Sequence, residues 1–263
     1  MTDITIIVPL HTFDNEVEAL LQKALDSVLE NRETYKNGKL PLMIICPTTV
    51  KETINENTNF KKYEDLSFLV NDGETDFCTQ INLAAKTVQT DFFSILEFDD
   101  IYRENWFKMA HDYYFTNESV SLFLPINVMS NPEHKVFQYI NEIAWTNSFS
   151  SEIGFLDFDC LQDYPSFNLT GGIFNTKDFN TIGGFDSSIK VAFNYEYLLR
   201  LTKKELKVYV VPKEGYVHCV GRKGSLTDEY NSTLTDEDIN NWFKKAKEEH
   251  APVIDKKKKN DTK

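Results

Sequence analysis

The chain has 263 residues, of which 41% are hydrophobic and 13% aromatic, and its formal net charge is −13. This length and apolar content suffice for one large α/β domain and exclude a chain that is disordered throughout. The negative charge argues against a broad nucleic-acid surface, because phosphates are bound largely by lysine and arginine. A local basic groove is still compatible with this net charge.

The sequence shows no targeting, membrane-spanning or zinc-site signal. The first residues, MTDITIIVPL, are acidic at the start, and their apolar run is too short for a secretory signal peptide. No stretch reaches the roughly 18–20 apolar residues that a membrane span requires. No CxxC or CxxH pair occurs among the four cysteines, so Cys46 and Cys78 are interpreted as reduced core residues. We therefore expect a cytoplasmic protein without a transmembrane segment.

The first half of the chain alternates between strand and helix patterns. Short β-branched or apolar runs predict strands at 4–8, 42–45, 66–70 and 92–96. Between them, helical spacing predicts helices that begin at Asp14 or Asn15, at Thr48 or Thr49, and over 77–88. Such alternation with short connections predicts right-handed crossovers and a parallel sheet, in which ligands bind beyond the carboxyl ends of the strands.

The second half is less regular. Helices are predicted over 106–115, 137–149 and 195–204, and strands over 120–124, 169–174 and 207–211. An amphipathic helix around Trp242 follows, and the lysine-rich tail 256–263 is predicted to be disordered.

The stretch SILEFDDIY, residues 94–102, ends an apolar strand in three carboxylates within four residues. Hard divalent cations prefer carboxylate oxygens, and Mg²⁺ typically takes one or two carboxylates together with substrate phosphates. The pair Asp99 and Asp100 therefore forms a candidate metal site at a strand end. The alternative interpretation is an acidic, solvated turn that caps the next helix.

Four segments in this order resemble the family-2 glycosyltransferases of the GT-A fold: ITIIVPLHTFDN, DFCTQINLAAKTVQTDFFSILEFDD, GGFDSSIKVAFNYEYLLRL and YVHCVG. The resemblance covers about residues 4–225, most of the chain. It implies an α/β, GT-A-like single domain over 1–225, with a mostly parallel Rossmann-like sheet flanked by helices. The nucleotide-sugar half would be 1–125 and the acceptor half 126–225, followed by a C-terminal helix and charged tail over 226–263.

The activity that this resemblance implies is metal-dependent transfer of a hexosyl or pentosyl group. The sugar would pass from a nucleotide-diphosphate sugar, such as a UDP-sugar, to a hydroxyl of a glycan or other acceptor, with inversion. By the same resemblance, the donor would lie against Thr48 and against residues of the segments 9–11, 76–82 and 97–100: Pro9, Leu10, His11, Asp76, Asn82, Glu97, Asp99 and Asp100.

The resemblance also assigns the metal. Glu97-Phe98-Asp99-Asp100 matches the family's Asp-x-Asp-Asp, which binds the diphosphate through Mn²⁺ or Mg²⁺, with Glu in the first position. Asp99 and Asp100 are thus the implied metal ligands, and His218 matches a late histidine that completes the site in many relatives. The alternative for His218 is a structural histidine beside apolar residues.

The chain departs from the family pattern at two places. Relatives end the second strand in an Asp that reads the base, whereas this chain has Cys46-Pro47-Thr48. Relatives also carry a general-base Asp where Asn194 stands here, and a carboxamide does not accept a proton usefully. The nearest carboxylates are Glu196, which is alternatively an i+4 partner for Arg200, and Asp186 of the Gly-Gly-Phe-Asp segment.

Two other functions therefore stay open. One is a non-catalytic relative that binds nucleotide or sugar and has lost the general base, as Asn194 suggests. The other is a transferase that acts on modified DNA bases, favoured only by the lysine-rich tail and by Arg222 and Lys223. The net charge of −13 opposes that second alternative.

Overall fold

The computed structural model describes residues 2–114, 119–132, 135–222, 225 and 232–250. Its strands are β1 (Ile4–Pro9), β2 (Leu42–Cys46), β3 (Leu66–Val70), β4 (Phe92–Ile95), β5 (Ile101–Tyr102), β6 (Val120–Ser130), β7 (Val136–Ile140), β8 (Phe155–Leu156), β9 (Ile173–Asn175) and β10 (Lys207–Cys219). Its helices are α1 (Asn15–Thr34), α2 (Thr48–Glu56), α3 (Phe77–Thr87), α4 (Trp106–Tyr114), α5 (Phe158–Asp163), α6 (Thr176–Thr181), α7 (Phe193–Lys203) and α8 (Asp236–His250), and short 3₁₀ turns lie at Thr58–Phe60 and Glu142–Trp145.

The described strands form one sheet in the order β3-β2-β1-β4-β9-β6-β10-β5, with β7 beside β6 and β8 beside β10. β3, β2, β1 and β4 are parallel, as the alternating pattern predicts, and β6 and β10 are parallel to each other. The short strand β9 runs antiparallel to both β4 and β6 and so joins the two parallel groups. The sheet is therefore mixed, within one GT-A-like domain.

Alternating side chains of β1 divide the core into two layers. Ile6 and Val8 face α1, and Ile7 faces α3, because successive side chains of a strand point to opposite sides. All three side chains are fully buried. The same division places α7 and α8 in the layer that contains α3.

Helix α1 begins where its capping residue predicts. The Asp14 side chain accepts hydrogen bonds from the backbone N–H groups of Glu16 and Val17, both at 2.9 Å. It thereby satisfies two of the N–H groups that a helix start leaves unpaired.

One predicted element is wrong. Residues 137–149 were expected to be a helix, but Val136–Ile140 form a strand beside β6 and Glu142–Trp145 a 3₁₀ turn. Val136, Phe137 and Tyr139 are exposed, and these apolar residues mimic a helical face while they lie on an edge strand. The predicted strand at 169–174 is also shifted, since β9 covers only Ile173–Asn175.

The strands β6 and β10 are much longer than their apolar runs predict. β10 continues past a bulge near Glu214 and pairs with β6 as far as Cys219. This extension carries His218 to the same edge of the sheet as the carboxyl ends of β1 and β4.

Other expectations concern cysteines and the C-terminus. Cys46 and Cys78 are buried, free cysteines, as expected. The predicted C-terminal helix is α8, whereas the lysine-rich tail lies outside the described residues. None of the helices in the described part of the chain has the length and apolar composition that crossing a membrane requires.

Candidate functional site

A cavity of about 290 Å³ opens at the carboxyl ends of β1 and β4. Its wall consists of residues from the β1 end, the start of α3, the acidic segment and the end of β10: Pro9, His11, Thr75, Asp76, Phe77, Gln80, Glu97, Phe98, Asp99, His218, Cys219, Val220, Arg222 and Ser225. The position agrees with the rule that open α/β sheets bind ligands beyond their strand ends.

The acidic segment and β10 meet at Asp100, which is only 1% exposed. Its Oδ2 lies 2.7 Å from Nδ1 of His218, and its Oδ1 accepts a hydrogen bond from the Cys219 N–H at 2.7 Å. Glu97 lies close by, so that one ligand atom from each of Glu97, Asp100 and His218 falls within 4.8 Å of the others. We call these three residues the carboxylate–histidine group.

The charges in this group shift one another's pKa values. Burial and the neighbouring Asp100 raise the pKa of Glu97 above its ordinary value. Burial alone would lower the pKa of His218, but the Asp100 carboxylate outweighs it and raises that pKa. The group therefore places two carboxylates against one imidazolium.

The donor set of this group fits a hard divalent cation. It offers two carboxylates and an imidazole within a small volume, and Mn²⁺ and Mg²⁺ accept oxygen ligands readily. A cation there would also relieve the repulsion that raises the pKa of Glu97.

Asp99 has a different partner. Its Oδ2 accepts a hydrogen bond from Arg222 Nε at 2.6 Å, and the Arg222 guanidinium lies over the Phe98 ring, 4.9 Å from its centroid. Asp99 therefore lines the cavity but belongs to an ion pair, while Glu97 joins Asp100 and His218. Lys223, which was grouped with Arg222 as a basic pair, lies outside the described residues.

The residues expected to hold the donor are only partly brought together. Pro9, His11 and Asp76 line the cavity. Leu10 is fully buried in the core, so its side chain is not available to a ligand. Thr48 does not line the cavity either: its backbone N–H and its Oγ1 both donate to Asp72, at 2.7 and 2.6 Å.

Asn82 has a structural role instead of the expected place in the cavity. Its side chain accepts from the N–H of Phe185 and donates to the Phe185 carbonyl, both at 2.8 Å. Gly184 has φ +71°, and a Cβ there would lie 2.2 Å from Asn82 Oδ1, so the position requires glycine. Asn82 thus fixes the Gly-Gly-Phe-Asp turn against α3.

The three candidate bases have different surroundings. Glu196 is 2% exposed and accepts from Arg200 Nε at 2.7 Å, with His250 Nε2 2.8 Å away, so it is buried where the i+4 alternative expected a solvated pair. Asn194 is partly exposed in the first turn of α7. Asp186 is also partly exposed, and its Oδ1 accepts from the Ser188 N–H at 2.8 Å.

Several wall residues were not found from the sequence. Thr75 lies in the connection between β3 and α3, Phe77 and Gln80 lie at the start of α3, and no motif singles them out. The available signal was positional, because the residues that follow a parallel strand face the ligand edge of the sheet. Asp76, in the same connection, was found and also caps α3 by accepting from the Thr79 N–H at 3.0 Å.

No protein-family model matches the chain, and no curated protein matches it in sequence. Among solved structures, it is similar in fold to S. aureus TarS 1–349 in complex with UDP-GlcNAc, with a TM-score of 0.65 and 16% identity over 95% of this chain and 66% of that one. The complex of the same protein with UDP gives a TM-score of 0.61 and 15% identity over 95% and 72% of the two chains. The chain thus spans just under two thirds of the first structure. The likeness shows the GT-A-like fold.

Proposed function

We propose that the chain is a metal-dependent glycosyltransferase that moves a sugar from a UDP-sugar to an acceptor hydroxyl. The observation that supports this most is the carboxylate–histidine group, in which Glu97 and His218 line the strand-end cavity and Asp100 lies buried directly behind His218. The fold supports it too, because S. aureus TarS binds UDP-GlcNAc and UDP on the same GT-A-like architecture.

The donor would lie along the cavity. Its diphosphate would lie near the carboxylate–histidine group, which would hold Mn²⁺ or Mg²⁺, and its nucleoside near Pro9, His11 and Asp76. When bound there, the cation supplies positive charge for the departing nucleotide diphosphate. As a ligand of the cation, His218 would offer a neutral imidazole nitrogen, so metal binding would release the proton whose pKa the Asp100 carboxylate raises.

The acceptor hydroxyl must lose a proton as it attacks. Glu196 is buried and paired, and Asn194 has no basic oxygen, so neither suits this task. Asp186 follows Phe185, whose ring stacks on Phe77 of the cavity wall with centroids 6.3 Å apart. Asp186 is therefore the proposed base for inverting transfer.

Nucleotide release tests the proposal. UDP-, GDP- and TDP-sugars are incubated with the protein and candidate acceptors, with and without Mn²⁺, and released nucleotide is measured. We expect Mn²⁺-dependent release of UDP that Asp100→Asn abolishes and the exposed control Asp112→Asn preserves. Metal-dependent UDP binding with no release from any donor would favour the non-catalytic relative instead, an outcome that fits the absence of a carboxylate at Asn194.

The alternative function, a transferase for modified DNA bases, would require the protein to bind DNA. It predicts binding to duplex DNA that weakens steeply as salt is raised. With a net charge of −13 and Arg222 paired with Asp99, we expect no such binding in a titration at low salt.

A further inference from the structure

The α3 wall of the cavity contains a buried carboxamide with an unpaired oxygen. Gln80 is 1% exposed and lines the cavity. Its Nε2 donates to the Thr75 carbonyl at 2.7 Å, whereas its Oε1 has no hydrogen-bond partner among the described residues. Buried polar atoms are nearly always paired in native proteins, so an unpaired oxygen beside a cavity indicates that a ligand supplies the partner.

The orientation of this carboxamide is fixed by its neighbour. The Thr75 carbonyl only accepts hydrogen bonds, so the atom facing it is the Gln80 nitrogen, and the flipped amide would place two oxygens against each other. Gln80 therefore offers Oε1 as an acceptor and the second hydrogen of Nε2 as a donor, in one plane.

The position of Gln80 selects the part of the donor that reaches it. Helix α3 packs against β1 and β2, whereas His218 lies on β10, which β4, β9 and β6 separate from β1. An ionised diphosphate has no hydrogen to donate, and a cation held by the carboxylate–histidine group would attract it. The nucleoside is the part of the donor left to face α3.

We propose that Gln80 reads the base of the donor nucleotide, an inference that rests on the proposed function. Its Oε1 accepts from the imide N–H of uracil, and its Nε2 donates to an adjacent uracil carbonyl. Cytosine presents the reverse order, an acceptor nitrogen beside an amino donor. Because Thr75 prevents the carboxamide from turning, the site discriminates against cytosine.

Calorimetric titration with UDP, CDP and N3-methyl-UDP, in the presence of Mn²⁺, tests this assignment. We expect the wild type to bind UDP about tenfold or more tightly than the other two, as one bidentate contact to a base edge typically gives. Gln80→Leu should bring the three affinities together. Gln162→Leu is the matched control, because Gln162 also has an unpaired amide nitrogen but lies on α5, outside the cavity wall.

The outcomes separate the two proposals. Equal binding of UDP, CDP and N3-methyl-UDP by the wild type would overturn base reading while leaving UDP binding intact. A preference for UDP that survives in folded Gln80→Leu would also overturn it. Absence of binding to every nucleotide would overturn the proposed function itself. The comparison of the three nucleotides on the wild-type protein needs no variant, so it tests base reading even if Gln80→Leu does not fold.

Discussion

Asp186 is the residue on which the proposed chemistry depends most directly. Asp186→Asn should lower kcat by about 10²-fold or more, because general-base catalysis is typically worth 10²–10⁴-fold. The KM for the donor should stay nearly constant, since Asp186 does not line the donor cavity. Folding should be unaffected, because asparagine retains an oxygen for the Ser188 N–H. Steady-state kinetics give both parameters.

Asn194→Ala is the matched control for that substitution. Both residues are partly exposed, but only Asp186 carries a basic oxygen. We expect the Asn194 variant to keep kcat within a few-fold of wild type. An unchanged kcat in Asp186→Asn, or an equal loss in both variants, would contradict the assignment of Asp186 as the base.

Glu196 has a structural task that makes stability depend on pH. Burial would raise its pKa, but hydrogen bonds from His250 and Arg200 outweigh burial and lower that pKa below the ordinary value of 4.5. The folded state therefore binds this proton less readily than the unfolded state. The stabilisation is fully present above about pH 4.5 and is lost as pH falls through the folded pKa.

Glu196→Gln isolates this contribution. We expect it to lower the free energy of unfolding by about 3 kcal/mol at pH 7, because it leaves the partly buried Arg200 guanidinium without a charged partner. Urea unfolding of both proteins from pH 7 down to pH 3 should show the difference shrinking at the acid end. A difference that is constant with pH would mean that the Glu196 charge contributes nothing to folding.

At the level of elements, the sequence predicts those strands and helices whose positions depend on a local residue pattern. The strands and helices up to β4 follow from β-branched runs, helical spacing and caps such as Asp14, and all were found. β7 was missed because an edge strand with exposed Phe137 and Tyr139 lacks the alternation of a half-buried strand.

The candidate site shows the same limit. The acidic segment could be found because its three carboxylates are adjacent in sequence. The contact between Asp100 and His218 joins residues 118 positions apart and depends on the bulged register of β10, so only the resemblance pointed to it. Gln80 has only a positional signal in the sequence, and its unpaired oxygen is visible only in the packed structure.

Identifiable contacts hold helix α8 to the domain. Ala246 is fully buried, the Phe243 ring lies 5.7 Å from that of Tyr195, and His250 reaches Glu196. Ala246→Asp should release α8, because it places an unpaired charge in this interface. Hydrogen exchange should then rise in α8 and α7, whereas the exposed control Lys244→Asp should exchange as wild type. Unchanged protection in Ala246→Asp would show that α8 is held by other contacts.

At the scale of the whole molecule, the excess of acidic residues should destabilise the free protein by charge repulsion, and ligand binding should offset that effect. The net charge of −13 is concentrated in part at the cavity, where Glu97, Asp99 and Asp100 share one segment. Removing the Glu97 carboxylate relieves its repulsion with Asp100 in the free protein but also removes a proposed cation ligand. Metal binding and stability of the free protein should therefore respond in opposite directions to Glu97→Gln.

Thermal unfolding with Mn²⁺ and UDP measures this linkage. A ligand at 100 times its Kd stabilises the folded state by about 2.7 kcal/mol, which corresponds to about 5 °C or more in Tm for a domain of this size. For the wild type we expect little shift with UDP alone, a shift with Mn²⁺, and the largest shift with both, because a cation held by the carboxylate–histidine group would also attract the diphosphate. Glu97→Gln should begin at an equal or higher Tm and lose the Mn²⁺ response. A full UDP shift without metal in both proteins would mean that the diphosphate is held by side chains such as His218 and Arg222, and that the carboxylate–histidine group is not a metal site.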